Sequence, residues 1–273
     1  MLPEVNLFGF AIDMYTVWIV LGIIICLIFT IFAMKKCGYS ATASDTIIII
    51  GILSIILGFL AAMLVQAIYD YINDPSAGFR INGGMTFLGG LIGGVIVFVG
   101  LYFLYVYVIN PRLSDGNFFK SDMNKGIWYL LRIAPISITI AHAFGRIGCL
   151  FAGCCHGHVT TAWYGVYSHN ANAVVVPTQL FESIFLFVLS AVLFVMLFVF
   201  HSKDTMAVYL VSYGVWRFII EYFRADYRGS FIPGLSPSQF WSIIMIILGI
   251  AAFFLYRYFD KKIEDKQKET QNE

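Results

Sequence analysis

The sequence predicts an all-α integral membrane protein with about seven transmembrane helices and one glycine-rich re-entrant segment. The chain is 60% hydrophobic and 12% charged over 273 residues, whereas about a quarter of the residues in a soluble domain are charged. Its apolar runs recur at intervals, and each approaches the roughly 20 residues that a helix needs to cross a bilayer. One glycine-rich stretch that contains an arginine and three cysteines interrupts this pattern.

Uncharged apolar runs give the predicted spans, with bounds good to a few residues. The first begins near Ile12, is too long for a signal-peptide core and has no small-residue cleavage site, so we expect a retained helix. The third span and its start hold six glycines within residues 83–94, which favours close helix packing or a broken helix beside a polar cavity. The seven predicted spans are 12–34, 46–69, 84–108, 127–144, 178–200, 205–223 and 237–258.

The distribution of basic residues predicts the orientation of the chain. With the N-terminus outside, every lysine falls on the inner side, in agreement with the excess of basic residues in cytoplasmic loops. We therefore predict an N-out, C-in topology, one polytopic domain over residues 1–259, and a disordered cytosolic tail over 260–273. The basic residues that depart from this pattern are all arginines: Arg80, Arg132, Arg146, Arg217, Arg224 and Arg228.

These arginines predict an anionic substrate at the level of the lipid headgroups. Arg132 lies near the inner end of its span and can extend to the inner surface, whereas the other five fall toward the outer leaflet. A guanidinium group offers a planar, permanently charged fork that matches phosphate. The alternative is that some of them only pair with acidic side chains such as Glu221 or Asp226. No basic tract suggests nucleic-acid binding, and the sequence holds no motif for a soluble cofactor.

The sixth span carries four polar side chains at helical spacing. They lie 4, 4 and 3 residues apart: Tyr213, Arg217, Glu221 and Arg224. A helix with this spacing presents all of them on one face, and ionisable groups inside a membrane usually face a cavity or a partner. We expect Glu221 to hold an arginine in place rather than to act as an acid or base.

The stretch from Gly145 to Gly157 predicts the re-entrant segment, directly after the fourth span. His142 lies one helical turn before Arg146, so the two share a face if the helix continues that far. Glycines at 145, 148, 153 and 157 permit sharp turns and close approach to lipid. Backbone N–H groups that are freed there can bind phosphate.

Cysteines and histidines in the same stretch offer enough soft ligands for zinc. They are Cys149, Cys154, Cys155, His156 and His158. Their spacing matches no usual zinc pattern, and the adjacent cysteines are expected to point in different directions. We therefore predict no metal site, and favour a role as small polarizable packing residues over a zinc ion or a redox disulfide.

Two other spans contribute candidate site residues. Gln179 and Glu182 open the fifth span after Pro177, a residue that is ordinary at a helix start. Gln179 can satisfy backbone groups there, whereas Glu182 lies about one turn further into the apolar run. Tyr15 lies at the outer end of the first span, where an interfacial aromatic side chain is the alternative explanation.

Four motifs in this order resemble the prolipoprotein diacylglyceryl transferase family of bacterial inner membranes, over most of the chain. They are GGMTFLGGLIG at 83–93, GRIGCLFAGCCHG at 145–157, PTQLFE at 177–182 and YGVWRFIIEYFR at 213–224. The resemblance implies a reaction at the outer face of the membrane. In it, a diacylglyceryl group passes from phosphatidylglycerol to the thiol of the lipobox cysteine in a prolipoprotein signal peptide, and glycerol 1-phosphate is released.

The resemblance also implies roles for individual residues. Arg146 and Arg217 carry over as a phosphate clamp, Gly157 as the close-packed end of its motif, and Tyr15 and Tyr213 as substrate-positioning tyrosines. The remaining residues predicted to bind substrate are Gly89, Gly90, Gln179, Glu182, Glu221 and Arg224.

Departures from the family pattern fall on polar positions. The family usually has a histidine where this chain has Leu88, and that histidine is a candidate for activating the thiol. Cys149 replaces an asparagine, and Ala152 and Cys154 replace a later asparagine and glutamate. We predict that His142 is the replacement base. The alternatives are His156, or a reaction in which deprotonation of the thiol is not rate-limiting. A relative with a different acceptor or donor, and a non-catalytic lipid-binding or transport protein, are the other functions considered.

Overall fold

The structure, a computed structural model, describes residues 4–7, 10–81, 84, 86–109, 126–225 and 234–272. These residues form two compact units, one of Met1–Thr30 with Ile127–Glu273 and the other of Ile31–Gly126. The expected single domain over residues 1–259 stays a prediction.

Helices dominate the described residues and confirm the predicted all-α membrane class. Six of the helices are long and apolar enough to cross a membrane, so the chain is a multi-pass membrane protein. The remaining helix, α6, has 16 residues and is shorter than the span predicted there, because a 3₁₀ turn over Glu221–Phe223 follows it. The helices are α1 Met14–Lys36, α2 Ala41–Asn73, α3 Phe87–Leu104, α4 Gly126–Ala152, α5 Thr178–Phe198, α6 Thr205–Ile220 and α7 Pro237–Asn272.

Four short strands form two antiparallel hairpins among the described residues. The first hairpin pairs β1, Glu4–Leu7, with β2, Phe10–Asp13, directly before α1. The second pairs β3, Val166–Ser168, with β4, Ala173–Val175, between α4 and α5.

Glycines bring α2 and α3 together in the unit Ile31–Gly126. A Cβ atom on Gly58 would lie 3.1 Å from the Gly90 carbonyl oxygen, and one on Gly89 would lie 2.7 Å from Val65 Cβ. Gly93 leaves even less room, because its added Cβ would collide with Ala61 Cβ. The close-packing explanation of this glycine-rich span is therefore confirmed, and α3 is unbroken from its start to Leu104.

Capping makes α2 longer than the predicted span 46–69. Ser40 begins the helix by accepting a hydrogen bond from the Ala43 N–H at 3.2 Å, which satisfies one of the free donors of the first turn. The helix ends at Asn73, just before Pro75, a residue whose ring disfavours continuation.

Helix α4 differs most from its prediction. It continues through Gly145 and Gly148 to Ala152, so the expected end at residue 144 and the sharp turns at these two glycines are wrong. Gly148 is needed for close packing instead, because a Cβ atom there would lie 3.2 Å from the Tyr15 carbonyl oxygen. The chain turns at Gly153, with φ of 70°, and bends again at Cys155, with φ of 62°, before it reaches Gly157.

The core of the unit around α4–α7 is built from apolar side chains on several helices. Ile133 and Ile136 of α4 and Leu186 and Leu193 of α5 are fully buried. The rings of Phe185 on α5 and Trp216 on α6 stack with centroids 4.4 Å apart.

Helix α7 extends beyond the span predicted at 237–258. The backbone of residues 260–272 is helical, and the disordered cytosolic tail expected there stays a prediction. The sequence of this segment is rich in lysine, glutamate and glutamine, which are good helix formers.

Candidate active site

Glu182 is the centre of a cluster of polar side chains from α4, α5 and α6. It lies one turn into α5 and is fully buried, with 0% of its surface exposed. The Arg146 Nε atom lies 3.0 Å from its Oε2 atom, and Arg217 Nη1 lies 3.9 Å from the same oxygen. Tyr213 donates its hydroxyl hydrogen to Oε1 at 2.8 Å, and His142 Nε2 lies 3.8 Å from Oε1.

A second carboxylate, Glu221, holds the opposite side of Arg217. The Arg217 Nη2 atom lies 2.8 Å from Glu221 Oε2 and also donates to Ser238 Oγ at 2.7 Å. Arg224 Nε lies 3.7 Å from the same Glu221 oxygen, and Ser236 donates to Oε1 at 3.0 Å. The contact matches our expectation that Glu221 holds an arginine in place.

Helix α6 presents its polar residues on one face, as their spacing predicts. Tyr213 and Arg217 are buried on the helix, and the 3₁₀ turn that follows keeps Glu221 and Arg224 on the same side. The guanidinium groups are well enclosed, since only 8% of Arg217 and 6% of Arg224 are exposed. Such groups are costly to bury unless they bind a partner or a ligand.

Buried guanidinium groups in the cluster favour an anion. Among the described residues, three arginines, Arg146, Arg217 and Arg224, lie with two carboxylates. Arg217 Nη1 and Arg146 Nε are buried and make no hydrogen bond with the described residues. Arg146 Nε lies 3.0 Å from Glu182 Oε2, but its N–H is not directed at that oxygen and makes no hydrogen bond with it. Buried donors of this kind suit a phosphate-bearing ligand.

The three cysteines after Arg146 form a compact thiol cluster, which we define as Cys149, Cys154 and Cys155. Their sulfur atoms all lie within 4.8 Å of one another. The expectation that the adjacent cysteines point apart is therefore wrong. The reason is local: Gly153 turns the chain back and Cys155 adopts a left-handed conformation with φ of 62°, which is uncommon for a residue with a side chain.

The start of α5 fixes the backbone of the thiol cluster. Gln179 donates its side-chain amide to the Cys154 carbonyl oxygen, and Thr178 donates its hydroxyl to the Cys155 carbonyl at 2.9 Å. Hydrogen bonds from Cys149 and Cys154, together with the nearby Arg224 guanidinium, lower the pKa of the Cys155 thiol. The cluster thus lies beside the arginines as well as beside α5.

Gly157 packs as tightly as its motif position implies. Its N–H donates to the Val176 carbonyl at 2.8 Å, and the next N–H, of His158, donates to the Phe223 carbonyl at 3.0 Å. A Cβ atom on Gly157 would collide with the Phe223 carbonyl oxygen. This segment therefore ties the chain after the thiol cluster to the chain before Arg224.

Tyr15 lies near the same cluster from the first turn of α1. Its ring and backbone pack against Gly148 of α4. Its hydroxyl is close enough to Arg146 and to the three thiols to interact with them electrostatically.

Other residues singled out in the sequence belong to the second unit or lie outside the described residues. Gly89 and Gly90 belong to the unit Ile31–Gly126, where they pack against α2. Arg80 is an exposed residue of the same unit. Arg228 lies outside the described residues.

Ser236 and Ser238 are site residues that sequence reasoning missed. Ser236 accepts from the Gln239 N–H at 3.2 Å, and its own N–H donates to the Gln239 side-chain oxygen at 3.0 Å. This reciprocal pair is a capping box, for which Ser-x-x-Gln before an apolar run is the sequence signal. The signal marks the start of α7, but the contacts to Arg217 and Glu221 depend on tertiary packing.

Comparison with known proteins gives one consistent family. Residues 4–255 match the sequence model described as prolipoprotein diacylglyceryl transferase. A Clostridium tetani protein named phosphatidylglycerol–prolipoprotein diacylglyceryl transferase is 32% identical over 262 residues, which cover 93% of this chain and 96% of the relative. A Clostridium perfringens protein named phosphatidylglycerol–prolipoprotein diacylglyceryl transferase 2 is 33% identical, covering 91% and 92%.

A third relative extends this likeness beyond the clostridia. The Dehalococcoides mccartyi phosphatidylglycerol–prolipoprotein diacylglyceryl transferase of strain 195 is 31% identical over 92% of both chains. The family model matches nearly the whole sequence, and the relatives have similar lengths and share one name. These findings agree on a single family. The chain belongs to the prolipoprotein diacylglyceryl transferase family of transferases.

Proposed function

We propose that this protein transfers a diacylglyceryl group from phosphatidylglycerol to the lipobox cysteine thiol of a prolipoprotein signal peptide. The membership of the family and the names of its relatives support both substrates. The site of the reaction is the outer face of a bacterial inner membrane, with the chain N-out and C-in, as the positions of the lysines indicate.

The observation that carries the proposal is the pair of buried guanidinium donors, Arg146 Nε and Arg217 Nη1, beside Glu182. In the transfer, the bond between the diacylglyceryl carbon and a phosphodiester oxygen breaks, and negative charge develops on the departing glycerol phosphate. Arg146 and Arg217 are the clamp that stabilises this charge, because each has a buried donor that makes no hydrogen bond with the described residues. Donors that are fixed before the reaction stabilise such charge more than mobile ones do.

Glu182 and Glu221 are positioning residues in this account. Both oxygens of Glu182 contact groups of the cluster, and Glu221 contacts Arg217 at 2.8 Å. The carboxylates hold the guanidinium planes in fixed directions, and Tyr213 fixes Glu182 in turn. Arg224, Gln179, Tyr15 and Gly157 shape the substrate site around the clamp, and Gly89 and Gly90 of the first motif are assigned to lipid binding by their motif position.

His142 is the proposed proton acceptor for the acceptor thiol. Its ring lies 5.1 Å from the Tyr213 ring, centroid to centroid, and it belongs to the cluster through Glu182. A thiol must lose its proton before it can act as a nucleophile. If His142→Gln leaves both the transfer rate and its pH profile unchanged, this assignment is wrong.

Complementation tests the proposed function. A bacterial strain depleted of its own transferase is supplied with this protein, and a reporter lipoprotein is analysed by mass spectrometry. The proposal predicts a gain of one diacylglyceryl unit on the lipobox cysteine, which is lost with Arg146→Ala. Good membrane expression without any lipid on the reporter would contradict it.

A further inference from the structure

The thiol cluster lies next to the arginine clamp, and the proposed function gives it no role. Cys149 is three residues after Arg146 on α4, a spacing that places both on the same side of a helix. Cys155 makes a hydrogen bond with Arg224. A ligand bound at the cluster would therefore lie beside the group that the arginines hold.

The donor set suits zinc. Zinc binds thiolates with bonds of about 2.3 Å in tetrahedral geometry, which corresponds to sulfur atoms about 3.8 Å apart. The three sulfur atoms, all within 4.8 Å of one another, need only small side-chain rotations to reach that separation. Zinc sites with three protein ligands leave the fourth position for water or substrate.

Nearby positive charge suits a zinc ion with several thiolates. A divalent ion with three thiolates carries one negative charge, and a fourth thiolate raises this to two. Arg224 contacts Cys155, and Arg146 interacts electrostatically with Cys149 and Cys155. Hydrogen-bonded neighbours of this kind orient metal ligands and tune their charge.

We propose that Cys149, Cys154 and Cys155 bind a zinc ion as three thiolate ligands, and that its fourth position takes the acceptor thiol of the prolipoprotein. This inference rests on the proposed function, since it names the group that activates the thiol. A thiol that coordinates zinc is deprotonated, so the metal supplies the nucleophile directly.

The step balances without any oxidant or reductant. The acceptor thiol gives its proton to His142, the proposed proton acceptor, as its sulfur binds zinc. The sulfur then attacks the diacylglyceryl methylene carbon that carries the phosphodiester oxygen. One C–S bond forms and one C–O bond breaks, and the electron pair of the broken bond stays on the glycerol phosphate. The neutral thioether product is a weaker ligand than a thiolate, and water replaces it on the metal.

Cobalt substitution provides the test, with purified protein in detergent under reducing conditions. Cobalt(II) replaces zinc and reports its ligands through its absorption bands. The proposal predicts about one metal ion per chain, a thiolate-to-cobalt charge-transfer band, and a change in the visible bands when a lipobox peptide is added. The same peptide with serine in place of its cysteine should cause no change.

Matched variants locate the site. Cys149→Ser, Cys154→Ser and Cys155→Ser should each lower zinc affinity by at least about tenfold. Cys26→Ser and Cys37→Ser, which lie outside the thiol cluster, should leave affinity and spectrum unchanged. The proposal would be overturned if zinc did not bind the wild-type protein. It would also be overturned if the cobalt absorption bands did not change when the lipobox peptide with its cysteine was added.

A lipid-transfer assay on the same protein, with and without metal, distinguishes failure of the zinc inference from failure of the proposed function. Transfer that continues at full rate after complete removal of metal overturns the zinc inference and leaves the proposed function standing. Metal binding and a response to the thiol peptide, without transfer from phosphatidylglycerol, support the thiol site and contradict the proposed reaction.

Discussion

The α2–α3 pair and the α4–α6 cluster bury their helix faces in opposite ways. In α2–α3, glycines let the backbones approach and no charged group is needed. In α4–α6, the helices meet through buried arginines and carboxylates, and such groups are expensive to remove from water. Close backbone packing stabilises the first arrangement, together with a hydrogen bond from the Thr86 hydroxyl to the Gln66 side chain. Under the proposed function, ligand binding accounts for the cost of the second.

The largest expected effect lies in the charged cluster. Arg217→Ala should lower the rate of lipid transfer by about 10³-fold, because it removes a preorganised donor to the developing negative charge. Arg217→Lys should remain strongly impaired, since one ammonium group cannot reproduce the contacts of the planar fork to Glu221 and Ser238. Steady-state transfer to a lipobox peptide measures both.

A matched arginine outside the cluster is the control. Arg257 is mostly exposed and its Nη2 atom lies 3.9 Å from Asp204. Arg257→Ala should leave the transfer rate unchanged. Equal losses for Arg217→Ala and Arg257→Ala would contradict a special role for the cluster.

The next effect is on stability. Glu182→Ala should lower the free energy of unfolding by about 3–5 kcal/mol, because it leaves Arg146 and Arg217 buried beside no carboxylate. Asp204→Ala, which breaks a surface ion pair, should cost less than about 1 kcal/mol. Denaturant unfolding in detergent compares the two, and similar losses would show that burial of Glu182 is not what matters.

A smaller effect is expected in the glycine-packed pair. Gly93→Val should cost about 1–3 kcal/mol, because the added side chain has no room against Ala61. Gly100→Ala, in the same helix with open space around it, should be neutral or stabilising by about 0.5–1 kcal/mol. Thermal unfolding measures the contrast, and equal behaviour of the two variants would argue against close packing.

The smallest effect concerns an exposed carboxylate, in contrast to buried Glu182. Hydrogen bonds from the Thr16 hydroxyl and backbone, and from the Tyr15 N–H, lower the pKa of Asp13 from 3.8. A lowered pKa in the folded state means that stability is present above pH 3.8 and is lost as pH falls through the folded value. Asp13→Asn should remove this pH dependence of the unfolding temperature. A wild-type protein with no such slope would contradict the capping contact.

Residue patterns predicted the helices well, because apolar runs and glycine spacing are local features. The seven apolar runs, the glycine packing of α3 and the shared face of Tyr213 and Arg217 are all visible along one stretch of chain. The ends of the helices depend on capping residues. Ser40 marks the start of α2 and Ser236 marks the start of α7. The continuation of α4 past Gly145 was missed because a glycine permits a turn. Gly148, three residues later, instead permits Tyr15 to approach the helix.

The site could be predicted only in part, because its contacts join distant segments. The pairing of Arg146 with Glu182 and the contact of Ser238 with Arg217 depend on how α4, α5, α6 and α7 pack. The closeness of the three sulfur atoms in the thiol cluster was missed for a different reason. Its geometry follows from the left-handed backbone at Cys155, a conformation that residue type does not favour.

Reconstitution of the reaction tests directly whether the arginine clamp supports lipid transfer to the lipobox cysteine. Purified protein is mixed with vesicles that contain phosphatidylglycerol and with a lipobox peptide, and both products are quantified by mass spectrometry. The proposed function predicts one diacylglyceryl unit on the peptide cysteine for each glycerol phosphate released. It also predicts that Arg217→Ala abolishes both products. Release of glycerol phosphate without lipid on the peptide, or transfer that survives Arg217→Ala, would contradict it.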